Sequence, residues 1–161
     1  MKPLNEIFEV TYGNKLDLNK LTTIPRSKGG VNFVGRSSQN NGVSSFVEIL
    51  PNVKPYEAGL ITVALGGSKL LSAFVQQAPF YTAQNVAVLR PYQPMTFQQK
   101  VYVALAIRQN RFRYSAFGRE ANRTLRTLLI PEIDEFPPFI LDEATHKKVN
   151  QPTLSKITPK L

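Results

Sequence analysis

The sequence predicts an α+β fold: a small, curved, mostly antiparallel sheet with flanking helices, forming a single domain. Three observations lead there. Short apolar segments separated by Gly, Pro and Asn turns fill the chain as far as residue 91. A helical period replaces them from residue 97 onward, and strands followed by helices is the α+β order. The 161 residues are 42% hydrophobic, enough for one packed core and too apolar for disorder.

The elements follow in order. "EIFEVTYG" (6–13) alternates Ile7, Glu9 and Thr11 against Phe8, Val10 and Tyr12, a strand entering a glycine turn. Residues 14–30 are polar, with Pro25 and the pair Gly29 and Gly30, and read as loop or a short helix. "VNFVGR" (31–36) is a second strand, and "SSQNNG" (37–42) is a turn because Asn and Gly tolerate positive φ. "VSSFVEIL" (43–50) is a third strand, stopped by Pro51. "GLITVAL" (59–65), apolar on both faces, has the pattern of a central strand, and "GGSK" (66–69) turns the chain. "LSAFVQ" (71–76) and "QNVAVLR" (84–90) are further strands. Thr96 and Gln99 then match a capping box ahead of a helix over 97–110, with Phe97, Val101, Ala104, Leu105 and Arg108 at helical spacing. A second helix is expected over 119–129, with Ala121, Leu125, Leu128 and Leu129 inward and Pro131 ending it. "EIDEFPPFI" (132–140) reads as extended. Residues 141–161, with Pro152 and Pro159, read as a poorly ordered tail, so the domain is expected over 1–140.

Twenty Lys and Arg against eleven Asp and Glu give a net charge of +9, which attracts polyanions. The absence of cysteine excludes disulfides and thiolate metal sites and fits a reducing compartment. The N-terminal stretch has no apolar run of signal-peptide type, and no segment approaches the roughly 20 apolar residues that span a bilayer. The expectation is a soluble cytoplasmic protein.

The charge concentrates in "NRFRYSAFGREANRTLR" (110–126), which holds five arginines. On a helix, Arg119, Arg123 and Arg126 fall within about 60° of one another. Before them, Arg111, Arg113 and Ser115 alternate with Phe112, Tyr114 and Ala116. Arginine suits phosphate and the guanine edge because its planar fork offers two parallel hydrogen bonds. The alternative is a solvated face whose arginines pair with Glu120 or with the acidic 132–135 segment. "GRSSQNNG" (35–42) is rich in amides that could read adenine and serines that could meet phosphate, or it is an ordinary hairpin loop. "GGSK" could cradle a phosphate beside Lys69 or be a tight turn, and it lacks the spacing of a nucleotide loop. Enzyme chemistry finds little support: His146 is the only histidine, there is no G-x-S-x-G elbow, and no acidic residue precedes a lysine by two positions. No cofactor or metal is implied.

Four stretches, "GNKLDLNK", "GVNFVGRSSQNNGV", "ITVALGGSKLLSAFVQQAPFYTAQNVAVLRP" and "NRFRYSAFGREANRTLRTLLIP", carry a more specific signal through their order. From about residue 6 to residue 136 the chain resembles a target recognition domain of restriction–modification specificity subunits, the type I S-subunit family and its type II relatives. The resemblance implies an α+β fold and sequence-specific recognition of double-stranded DNA. It also implies no catalysis by the domain itself, and methyltransferase and nuclease subunits or domains as partners. One departure stands out. Type I subunits follow each such domain with a long spacer helix, whereas residues 132–161 hold four prolines and no sustained heptad, which is closer to the type II relatives.

Base-contacting positions vary within that family, so the candidate DNA-contacting residues rest on charge and loop position. They are Lys15, Arg36, Ser37, Ser38, Gln39, Asn40, Asn41, Ser68, Lys69, Arg111, Arg113, Tyr114, Arg119, Arg123 and Arg126. The competing expectation is a basic interaction or assembly protein that binds an acidic protein instead of DNA.

Overall fold

A computed structural model describes residues 1–111 and 124–138. Its strands are β1 (Lys2–Pro3), β2 (Phe8–Thr11), β3 (Val31–Val34), β4 (Val43–Val47), β5 (Ile61–Ala64), β6 (Ala73–Val75), β7 (Phe80–Thr82), β8 (Val86–Pro91) and β9 (Leu129–Ile130). Its helices are the single turn α1 (Leu4–Ile7) and the long α2 (Phe97–Gln109). The fold is α+β.

Strand pairing is mostly antiparallel. One sheet has the order β2-β8-β5-β6, antiparallel throughout. A second has the order β4-β3-β7, with β3 antiparallel to β4 and parallel to β7. β1 and β9 form a third, two-stranded ribbon.

Alternation along the strands builds the layers. In β8, Ala87 and Leu89 face α2, while Val86 and Val88 face the three-stranded sheet. In β7, Phe80 joins Val86 and Val88, while Tyr81 points away with Phe33 and Val47. Leu18, Leu21, Leu50 and Val53, from the loops, close that outer face. The order is therefore helix, sheet, sheet and loops. This explains why β5 is buried at all four positions and reads as an unbroken apolar run.

α2 starts where the sequence places it. Thr96 Oγ1 accepts from the Gln99 amide at 3.1 Å, and Gln99 Oε1 accepts from the Thr96 amide at 2.9 Å. Val103, Ala104, Leu105 and Ile107 are buried against the sheet.

Other expectations are corrected. Within 119–129, the described part is a 3-10 turn, Leu125–Thr127, followed by β9. Ile130 precedes Pro131, which disfavours helical backbone, and pairing with β1 supplies strand hydrogen bonds instead. Leu125 and Leu128 are buried as expected, but Leu129 is 50% exposed. Arg126 therefore does not stand on a helix. Residues 132–140, expected to be extended, include a 3-10 turn at Ile133–Glu135. The segment 6–13 begins with the turn of α1 before β2. Residues 141–161 and the 140 boundary lie outside the described residues. No helix among the described residues is long and apolar enough to cross a membrane.

Candidate nucleic-acid interface

The β6 edge of the four-stranded sheet gathers several of the candidate residues. α2 lies along one flank of β6 and the β3–β4 turn along the other. The turn is built by left-handed backbone at Asn40 (φ 52), Asn41 (φ 57) and Gly42 (φ 78). Gly42 is required here, because a Cβ on it would lie 3.2 Å from Val34 Cγ1 and 3.4 Å from Phe74 Cδ2. Ser37 Oγ accepts from the Gln39 amide at 3.0 Å, which folds the turn on itself.

Side chains tie the turn to β6. Asn41 Nδ2 donates to the Val75 carbonyl at 2.9 Å. Gln76 Nε2 donates to the Asn41 carbonyl at 2.8 Å and to Thr62 Oγ1 at 3.0 Å. Asn40 Nδ2 donates to the Val43 carbonyl at 3.1 Å. Asn40 and Asn41 thus each commit an amide nitrogen to holding the loop, while Gln39 and Asn40 remain exposed. Two shallow grooves meet here at Gln76 and Gln77, and none of their lining residues is acidic. One takes in Arg26, Asn32, Asn40 and Asn41, and the other Gly59, Phe97 and Lys100.

Arginines gather at the other end of β6, around the β5–β6 turn and Phe74. Arg111 Nη2 donates to the Ser68 carbonyl at 2.6 Å. A Cβ on Gly67 would lie 3.6 Å from Arg36 Nη1, so that guanidinium rests against the turn. Arg108 places its guanidinium 5.4 Å from the centre of the Phe74 ring. Ser68 and Lys69 are exposed at the tip.

Two candidates lie elsewhere. Gly13 (φ 71) and Asn14 dock on Thr82, with the Asn14 amide donating to Thr82 Oγ1 at 2.7 Å and Asn14 Oδ1 accepting from the Thr82 amide at 2.9 Å. This fixes Lys15 (φ 57) in an exposed position beside the end of β7. Arg126 Nε donates to the Tyr12 hydroxyl at 3.1 Å, with the guanidinium 5.2 Å from that ring. Tyr12 follows β2, the opposite edge of the four-stranded sheet, three strand spacings or roughly 14 Å from β6. Arg113, Tyr114, Arg119 and Arg123 lie outside the described residues. The chain enters and leaves their segment at Arg111 and Thr124.

The acidic 132–135 segment does not pair with the described arginines. Glu132 meets Lys2 Nζ at 3.0 Å, and Glu135 accepts from the Met1 amino group, which holds its carboxyl below the usual range. Glu132, Asp134 and Glu135 bring carboxylate oxygens within 4.8 Å of one another, but this patch is engaged with those two cations. Residues absent from the sequence-based candidates are Arg26, Asn32, Gln76, Gln77, Lys100 and Arg108. The consecutive glutamines 76–77 at a strand end were the one local signal; the others become neighbours only through the fold.

No protein-family model matches the chain, and no curated protein matches it. Among solved structures, the type I restriction–modification S subunit from M. genitalium superposes with a TM-score of 0.63 at 17% identity, covering 98% of this chain and 43% of that one. A chain solved in work on complex assembly and conformational transition of the type I R-M system gives 0.66 at 13% identity, covering 99% and 40%. The HsdS subunit from Thermoanaerobacter tengcongensis gives 0.63 at 14% identity, covering 98% and 37%. The chain has the fold of part of a type I S subunit, and it spans about two fifths of the length of these subunits.

Proposed function

We propose that this chain is a sequence-specific recognition module for double-stranded DNA in a restriction–modification system. It carries out no catalysis itself and directs partner methyltransferase and nuclease subunits or domains. The observation that carries this reading is the grouping along β6 of residues chosen from sequence: Asn40 and Asn41 line a groove with no acidic lining residue at one end, and Arg36, Ser68 and Arg111 meet at the β5–β6 turn at the other. The S-subunit fold supports it.

The chemistry divides between two kinds of group. Arg36, Lys69, Arg108 and Arg111 surround the β5–β6 turn and supply charge for backbone phosphates, which fix position without reading sequence. A major groove about 12 Å wide admits a two-stranded β-ribbon, and β3 and β4 form an antiparallel pair of that kind. Exposed Gln39, Asn40 and Gln77 offer amide donors and acceptors to base edges there. The bonds from Asn41 to Val75, from Asn40 to Val43 and from Gln76 to the Asn41 carbonyl fix the turn before binding, which lowers the entropy lost on association.

The test is equilibrium binding of the purified chain to a random-sequence duplex across salt. With about five phosphates neutralised, log K should fall against log salt with a slope of about −4 to −5. No duplex binding, with retained affinity for an acidic protein, would replace this reading with that of a basic interaction protein.

A further inference from the structure

The arginines at the β5–β6 turn are held without carboxylates. Arg108 stacks on Phe74, Arg111 bonds a backbone carbonyl, and Arg36 rests on glycine backbone. Among the described residues, the only side-chain cations in salt bridges are Lys2 and Arg90. None of these three guanidinium groups is offset by a carboxylate among the described residues.

Arg108 differs from the other two. Its Nη1 is one of two buried side-chain polar atoms among the described residues without a hydrogen-bond partner. A desolvated donor left unpaired carries a free-energy penalty, and more so on a charged group. Burial, and then the neighbouring charge of Arg111, lower the pKa of Arg108. Arg108 lies in the last turn of α2 and Arg111 just beyond its C-cap Asn110, close enough for the charge of Arg111 to act on Arg108. Two like charges close together, one with an unused donor, lack the anion that would offset their repulsion.

We infer that Arg108 and Arg111 jointly hold one phosphodiester of the DNA backbone at the β5–β6 turn, with Arg108 as the inner anchor. Phe74 positions the Arg108 guanidinium, and the phosphate oxygens accept from that guanidinium, as its side chain turns its unpaired donor outward, and from Arg111. The C-terminal end of α2 and the residue just beyond its cap thereby fix the register of the duplex against the amide grooves. This rests on the DNA reading above. The same chemistry would also suit free phosphate.

The test measures the salt slope of duplex binding for the full chain and for Arg108→Gln, Arg111→Gln and the double variant, each also followed by thermal unfolding. Each single change should lower the slope by about one, equally for all duplex sequences, because one shared phosphate is lost. The double variant should lower it by about one as well. A double variant that loses about two units overturns the shared site, as does an Arg108→Gln protein with the wild-type slope; both leave the DNA reading intact. A wild-type chain that does not bind duplex overturns both. If Arg108→Gln does not fold, Arg108→Lys replaces it. That variant keeps the charge, and should keep the slope while losing about tenfold in affinity with the forked donor; undiminished affinity overturns the anchor role. If inorganic phosphate raises the melting temperature of wild type but not of the double variant, and duplex slopes do not change, the site takes free phosphate and the duplex assignment is wrong.

Discussion

Asn41 joins the recognition turn to the core, and its replacement separates two physical contributions. Its side chain donates to the Val75 carbonyl at 2.9 Å, and its backbone sits at φ 57. Alanine removes a hydrogen bond worth about 1 kcal/mol. It also puts alanine, which lacks asparagine's tolerance of left-handed backbone, at φ 57, at a further cost of about 1–2 kcal/mol. Asn41→Ala should therefore destabilise by about 2–3 kcal/mol. Glycine loses the same hydrogen bond but adopts the conformation freely, with an unfolded-state entropy cost of about 0.5–1 kcal/mol. Asn41→Gly should thus lose about 1.5–2 kcal/mol in all. Urea unfolding of the three proteins should give midpoints in the order wild type, glycine, alanine, with similar m-values. The Gln76 bond accepts at the Asn41 backbone carbonyl and is present in all three, so it does not bias the comparison. An alanine variant as stable as the glycine variant, or more so, would refute the left-handed turn and the presentation of Asn40 that depends on it.

Other outcomes follow from packing. A Cβ on Gly13 would lie 2.2 Å from Thr82 Oγ1 and 2.7 Å from the Val86 carbonyl, so Gly13→Ala should cost about 2–5 kcal/mol in chemical unfolding. Leu125 is fully buried and Leu129 half exposed, so Leu125→Ala should cost about 2–5 kcal/mol and Leu129→Ala stay within about 0.5. Equal losses would restore the helical reading of this segment. We propose that the domain ends near residue 140, so truncation after Ile140 should leave the melting temperature within a few degrees; a marked fall or insoluble protein would move the boundary.

Much of this fold is legible because period two and turn chemistry act locally. Strands β3, β4, β5 and β6 lie inside the segments that alternation or apolar runs marked, β8 runs one residue past its segment to Pro91, and the capping box placed α2. β7 escaped because its three residues follow Pro79 and are all buried, so nothing alternates. Its parallel pairing with β3 joins residues nearly fifty apart, beyond any local pattern. The 119–129 helix failed at its described end because strand pairing with Lys2 and Pro3 and the following proline outweighed apolar periodicity.

The site divides similarly. Charge and turn composition marked Arg36, Asn40, Asn41, Ser68 and Arg111, and the fold brings them to one edge. The role of Gln76 depends on Asn41 and Thr62, which meet it only through tertiary packing. Arg108 has helical apolar spacing in the sequence, and only its place over Phe74, with an unused donor, separates it from the core residues around it.

The central claim, sequence-specific recognition of duplex DNA, is tested most directly by selection from a random duplex library. The purified chain is equilibrated with the library at physiological salt, and the bound fraction is sequenced. The account predicts enrichment of one short motif, bound at least about a thousandfold more tightly than random duplex. Bound DNA with the base composition of the input library, or no bound DNA, would contradict it.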